Sequence, residues 1–281
     1  MQDNIMICRT GVSGTGWALH RTAEYTVPFV RTALVAARLA LTATVLPSLA
    51  DAVAVGDRVR LALLRCSDGH PVFTGRDAAG HVKRGLHHDH AWYLPADDDD
   101  DGAIDHVLVY ARGGFDLAAL RALARLRRVW GHGGPDLTVT LIAVGSPDQL
   151  GCLRRDGGHA RTPQLGTARI WESLTPFVPP RHIKHRATGV RDAANEQLAR
   201  LLALHGRPLP RIEPLASEDA TTMRSPRIAW QRFRRLRTVG GGSRGSDATF
   251  GFRLCFDQPV TGPIALGYAA HQGLGQFVAV A

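Results

Sequence analysis

The chain has 281 residues, 44% hydrophobic and 21% charged, the balance of a globular protein large enough for two compact domains. Against 25 Asp and Glu stand 34 Lys and Arg, a net charge of +9 carried almost wholly by arginine, which points to a polyanionic partner. Cys8, Cys66, Cys152 and Cys255 lie far apart with no CxxC pair, which argues against a disulfide framework or zinc knuckle and fits a reducing cytoplasm. Thr32 to Leu46 is apolar but too short to span a membrane and carries Arg38 in its middle. The N-terminus lacks the basic start and apolar block of a signal peptide. A cytoplasmic protein with no membrane partner is expected.

Residues 1–30 show no clear period and read as a poorly defined lead-in. Arg31 to Ala43 reads as a strand, which Pro47 breaks. Ser48 followed by Asp51 resembles a capping box opening a helix to about Cys66, weakened but not vetoed by Gly56. Residues 67–86 are loop-like. Strands follow at Ala91–Leu94 and Ile104–Ala111, joined by the hairpin connection ADDDDDG. Phe115 to Trp130 reads as a helix with Leu120, Leu123, Leu126 and Trp130 on its apolar face and Arg121, Arg125 and Arg128 opposite. Leu137 to Val144 is a buried-type strand. This order of strand, helix, strand, strand, helix, strand is the ferredoxin-like arrangement.

A Gly- and Arg-containing connection then leads to a second set of elements. Arg169 to Val178 reads as a strand ending at Pro179-Pro180, followed by the basic loop RHIKHR from Arg181 to Arg186. A helix from Asp192 to His205 has Ala194, Leu198, Leu201 and Leu202 as its stripe and Gly206 as its stop. Strand candidates lie at Arg211–Leu215, Ile228–Arg237 and Phe250–Phe256, and the stretch Gly262–Ala281 closes the set. The expected fold class is α+β. Two tandem ferredoxin-like (βαββαβ) domains span 31–147 and 167–281, with a linker at 148–166 and the last helix of the second domain shrunken.

Four segments in fixed order carry a family resemblance: His90-Ala-Trp-Tyr-Leu-Pro95, the Asp run ending Gly102-Ala-Ile-Asp105-His106, WESLTPFVPPRH from Trp171 to His182, and GPIALGYAAHQGLGQF from Gly262. Together they resemble the fused repeat-processing protein of subtype U (also called G) type I CRISPR systems. That family joins two members of the repeat-associated mysterious protein (RAMP) superfamily, a scaffold subunit and an endoribonuclease that cuts the precursor within its repeats. The resemblance covers about Arg31 to Ala281. It implies tandem ferredoxin-like folds and metal-independent cleavage that leaves a 2′,3′-cyclic phosphate. The implied partners are CRISPR precursor RNA, mature CRISPR RNA and other subunits of a type I effector complex. It also implies a longer scaffold portion at the N-terminus, here missing or reduced to residues 1–30. The alternative within the same family is a non-catalytic subunit that grips CRISPR RNA.

Metal-free RNA cleavage needs a base for the 2′-OH, an acid for the 5′-oxygen and something to stabilise the phosphorane. Histidine suits the first two roles; Lys, Arg or backbone N–H groups suit the third. The loop RHIKHR offers His182 and His185 beside Arg181, Lys184 and Arg186, or is only a solvated basic turn. His271 lies between Gly267 and the pair Gly273 and Gly275, glycines that let backbone N–H groups approach a phosphate; it either faces RNA or packs in a short helix. His90, in the cluster His87, His88, Asp89 and His90, is a further catalytic or RNA-contacting candidate; alternation along a strand argues against a metal there. His182 is the first choice, His271 the second, with His185 and His90 behind.

Arg224, Arg227, Arg232, Arg234, Arg235 and Arg237, with Trp230 and Phe233 interleaved, suit a surface that tracks RNA backbone and stacks bases; a charge-protected edge strand is the other reading. Asp97, Asp99, Asp101, Gly102 and Asp105 match the first half of a calcium loop, but Leu108 stands where the closing acid belongs. An acidic hairpin turn is favoured over a Ca²⁺ or Mg²⁺ site. No P-loop, dinucleotide fingerprint, GxSxG or HExxH motif occurs, and no cofactor is expected.

Overall fold

A computed structural model describes residues 33–76, 81, 90–131, 134–151, 162–186, 189–216, 228–234 and 248–280, with 184–186 and 189–191 by their backbone alone. Backbone contacts divide the chain at residue 31, and everything described lies in the unit that follows. Among the described residues no helix is long and apolar enough to cross a membrane.

The first half builds strand β1 (Ala36–Thr42), helix α1 (Ala52–Cys66), the short helix α2 (Pro71–Thr74), strands β2 (Trp92–Ala96) and β3 (His106–Tyr110), helix α3 (Leu117–Arg125) and strands β4 (Arg128–Val129) and β5 (Leu137–Gly145). Its five-stranded sheet has the order β2-β3-β1-β5-β4, and every pairing is antiparallel. Setting aside the two-residue edge strand β4, this is the ferredoxin-like order, with β3 between β1 and β2. Alternate residues decide the faces. Ala37, Leu39 and Leu41 of β1 pack with Val53, Val59 and Leu63 of α1 and Leu123 of α3. Ala36, Leu94, Leu108 and Trp92 face the other way and meet Leu165, Ala265 and Ala270 of the second half.

The short helix α4 (Pro147–Gly151) leads into that second half. It comprises strand β6 (Thr167–Ser173), the hairpin β7 (Lys184–Arg186) and β8 (Gly189–Arg191), helix α5 (Ala194–Leu204), and strands β9 (Arg211–Leu215), β10 (Gly251–Thr261), β11 (Ile264–Ala265) and β12 (Gln276–Val280). The sheet order is β11-β12-β6-β10-β9, again antiparallel throughout. It is the ferredoxin-like order a second time, with β10 between β6 and β9. The helix expected between β10 and β12 is a single 3-10 turn, Ala270–Gln272. The fold is therefore α+β, two ferredoxin-like units in tandem.

Three expected elements differ. The helix expected to reach Trp130 ends at Arg125, because Leu126 turns extended and Arg128–Val129 pairs with Leu137–Thr138. That pairing overrides helix propensity and leaves Trp130 55% exposed instead of on an apolar helix face. The strand expected from Ile228 is, over 228–234, a 3-10 turn at Trp230–Arg232 that docks on the first unit, where Arg234 N–H donates to Ala50 O at 2.9 Å. The basic loop at 181–186 ends in the hairpin β7–β8.

Helix α1 is buried all round its first two turns, from Ala52 to Val59, because it lies between the first sheet and the closing segment of the chain. Gly56 makes this possible. A Cβ there would come within 2.5 Å of Gln272 O and 2.9 Å of Tyr93 O. Edge strand β2 meets the same segment. Gln276 Nε2 donates to Pro95 O at 3.1 Å, and Pro95 itself has no N–H to leave unpaired.

Gly56→Ala is expected to cost about 1–3 kcal/mol by overpacking, although alanine is the better helix former, and a denaturant melt measures it. Asp116 supplies a second test, since its Oδ1 accepts from Ala119 N–H at 2.8 Å as the N-cap of α3. That bond holds the carboxyl below its ordinary value; slight burial opposes it and His70 assists. Asp116→Ala should cost about 1 kcal/mol at neutral pH. Because the folded value is depressed, the stabilisation is full above about pH 4 and fades as pH falls through the lower folded value. Paired thermal melts across the acid range read this out.

Candidate functional site

His90 stands just ahead of β2, and His271 rides on the 3-10 turn that replaces the second unit's last helix. The docking of that turn on α1 and β2 stacks the two imidazoles, with centroids 4.2 Å apart and planes 10° from parallel. His271 Nδ1 lies 3.5 Å from Ala91 O, an outward carbonyl beside the edge strand. On its other side His90 meets Gly75, the left-handed C-cap of α2, where a Cβ would come within 3.1 Å of the imidazole. A side chain at position 75 would push the His90 ring out of place.

Trp92 ties this pair to the second unit's helix. Its ring stands edge-on to His271 at 5.3 Å and to His205, the residue after α5, at 5.9 Å. Tyr110 lies 5.9 Å from it across the β2–β3 pair. Trp92 is buried, and among the described residues its Nε1–H has no hydrogen-bond partner. A narrow cleft runs from Trp92 past Tyr110, Arg112, His205 and Arg207 to the β10–β11 turn; it holds about 20 Å³, room for a water but not for a base. Arg207 is fixed there by its bond to Pro263 O at 3.1 Å and by a second to Thr261 O. Burial lowers its pKa; Tyr110 works against that and Arg112 adds to it.

Of the residues singled out in the sequence, His90 and His271 are brought together. His182 and Arg181 are exposed, in a loop held to α5 by Gln197, which accepts from Arg181 N–H at 3.1 Å and donates to its carbonyl at 3.0 Å. Gln197 lies in the early turns of α5, and His205 lies beyond its end, an axial rise of about 12 Å. The His182 loop and the His271 cluster thus sit at opposite ends of that helix. His185, Lys184 and Arg186 lie on β7, with side chains outside the described set. Arg224, Arg227, Arg235, Arg237, His87, His88 and Asp89 also lie outside the described residues.

Trp230 does not offer its ring to a base. It is 2% exposed, packed on Phe233 and against Gly251, where a Cβ would come within 2.5 Å of the indole. Arg232 and Arg234 are exposed, and Arg234 pairs with Asp51 at 3.0 Å. Gly273 and Gly275 do not form an open phosphate cradle. Their N–H groups donate to Ala270 O and Pro176 O, and a Cβ on Gly275 would lie 1.8 Å from Leu266 O. These glycines serve close backbone packing.

The acidic run forms the β2–β3 turn. Asp97 is buried and accepts from Asp101 N–H at 3.2 Å and Gly102 N–H at 2.9 Å, so its carboxylate already closes the turn. Asp97, Asp99 and Asp101 do lie close enough to share a cation, and Asp98, Asp105 and His106 form a second such group. In the second group Arg38 already supplies a positive charge, paired with Asp98 and bonded to Thr162 Oγ1 at 2.6 Å. His106 Nδ1 lies 3.0 Å from Asp98 and 2.9 Å from Asp105.

Trp92, His205, Tyr110, Arg112 and Arg207 are cleft residues that sequence reasoning did not select. His205 and Arg207 flank Gly206 at a helix end, where Lys, Arg and His are common for dipole reasons alone, so pattern offered no signal. Trp92 lies two residues after His90 in the first of the four family motifs, which is the one local signal for it.

No protein-family model and no curated protein matches the sequence. Among solved structures, a chain described as CRISPR associated protein Cas6 is similar in fold, with a TM-score of 0.40 and 9% identity over 89% of this chain and 100% of that chain.

Proposed function

We propose that the chain is a CRISPR RNA-processing endoribonuclease of the RAMP type, cutting precursor RNA without a metal by attack of the 2′-OH on the adjacent phosphate. The observation that carries this reading is the stacked pair His90–His271 at the meeting of the two ferredoxin-like units. The four ordered motifs of the family resemblance support it, since His90 opens the first of them and His271 lies in the last.

Two imidazoles 4.2 Å apart resist carrying two charges at once, at a cost of about 4 kcal/mol for an effective dielectric of 20. The proposed roles therefore ask one ring to hold the proton while its neighbour stays neutral. In the proposed reaction the neutral ring takes the 2′-OH proton and the charged ring protonates the departing 5′-oxygen. Arg112 and Arg207 would stabilise charge on the phosphorane. His182 and His185 form the rival acid–base pair on the α5-anchored loop, with Arg181 and Lys184 to stabilise the transition state. After cleavage the product would stay bound in a type I effector complex in the cytoplasm.

A non-catalytic RNA-gripping subunit is the second reading. The tight backbone packing around Gly273 and Gly275 favours it, because it suits a closing wall better than a mobile catalytic loop. That reading predicts tight, salt-sensitive RNA binding with no product.

Incubating the purified chain with cognate repeat RNA in EDTA separates these outcomes. Cleavage is expected, with His90→Ala or His271→Ala slowing it at least about 100-fold. A loss confined to His182→Ala would move the chemistry to the loop. Binding without product would establish the gripping role, and the His90–His271 assignment fails if both variants cut at the parent rate.

A further inference from the structure

The helix-covered side of the first unit holds a second constellation, separate from the histidine cluster. The C-terminal ends of α1 and α3 and strand β4 enclose a groove of about 460 Å³, within the range of small-ligand sites. Its floor is apolar, formed by Leu61, Ala62 and Leu126. Its walls carry Arg58, Arg65, Arg125, Arg127 and Arg128, with Trp130 alongside, and no carboxylate lines it among the described residues.

Part of this charge has a structural explanation. Arg125 donates to Cys66 O and Arg127 to Ala124 O and Leu126 O, so both cap carbonyls at helix ends where cations belong. That account leaves out Arg58, Arg65, Arg128 and Trp130. Arg65 and Arg128 are exposed, and Trp130 is 55% exposed beside them. Arg58 is only 3% exposed; its Nη2 donates to Val129 O at 3.1 Å and Pro135 O at 2.6 Å. Among the described residues its Nε and Nη1 have no hydrogen-bond partner, and Asp136, the carboxylate that acts on its charge, does not line the groove. Buried donors are nearly always satisfied, so an orphaned guanidinium edge in a groove wall points to an anion that completes it.

An indole face among guanidinium groups suits a flat aromatic ring bearing phosphate. Seven residues separate Arg58 from Arg65 on α1, a rise of about 10 Å, which is more than one phosphate needs and suits successive phosphates of a strand. We propose that this groove binds single-stranded RNA, one base lying on Trp130 and the backbone phosphates on Arg58, Arg65 and Arg128. The site is independent of the proposed cleavage chemistry.

Anisotropy titration of the full chain with a short 2′-O-methyl oligouridylate tests this, because that probe cannot be cut by 2′-OH attack. Trp130→Ala and the double variant Arg65→Ala/Arg128→Ala should each weaken binding about tenfold, and the double variant should flatten the salt dependence. Both alter exposed side chains, and unchanged melting temperatures would show that the fold survives. Arg211→Ala, on the edge of the second sheet, should bind within about twofold of the parent. The proposal is overturned if Trp130→Ala binds like the parent, or if a phosphotyrosyl peptide binds more tightly than the oligonucleotide.

Discussion

The close approach of Gly56 to the backbone of Gln272 and Tyr93 is the contact on which the remaining architecture turns. A ferredoxin-like sheet leaves β2 at its edge with outward carbonyls, a row of polar groups that must be covered or solvated. Here the closing segment of the second unit covers them. Gln276 Nε2 satisfies Pro95 O, His271 approaches Ala91 O, and the carbonyl of Gln272 lies where an α1 side chain would otherwise stand. The segment fits only because its own glycines allow it to fold tightly over Leu266 and Pro95. Both partners in the contact are thus specified by missing side chains.

The same contact positions the imidazole pair. His90 is fixed from the first unit, against Gly75 at the end of α2, and His271 comes from the second. Neither unit alone holds the pair. Trp92 then extends the cluster to His205, so the end of α5 is read out at the same place. The units are also joined by shared core, since Leu174, Val178, Leu274 and Val278 of the second pack into the hydrophobic cluster of the first.

The regular elements are legible in the sequence wherever periodicity is backed by burial on one face. β9 matches its expected bounds, and α5 and β5 come within two residues of theirs. The shrunken last helix is also readable, because the glycines around His271 leave no room for helical turns. What misleads is composition without context. The Trp230–Phe233 segment alternates aromatic and basic residues as an RNA surface would, yet its aromatics are needed to fill the core beside α1. Trp130 continues a helical stripe in sequence, but the strand pairing at Val129 ends that stripe. The His90–His271 stack joins residues 181 positions apart and has no local signature at all.

Charge accounting separates scaffold from site more sharply than composition does. On the sheet face between the units, buried Arg38 is matched by Asp98, and Asp105 opposes the lowering of its pKa that burial causes. His106 joins the same carboxylates. These groups pair as ions, although Asp98 Oδ2 and His106 Nδ1 make no well-formed hydrogen bond among the described residues. On the second sheet Arg253 and Glu172 close on each other at 2.7 Å. In the α1–α3 groove Asp136 likewise opposes the lowering of the Arg58 pKa by burial, but it does not line the walls, and among the described residues Arg58 keeps two buried donor atoms unmatched. A protein with a net charge of +9 can place arginine anywhere on its surface, but burying one with its edge unsatisfied costs stability. Such a cost persists most readily where a ligand removes it.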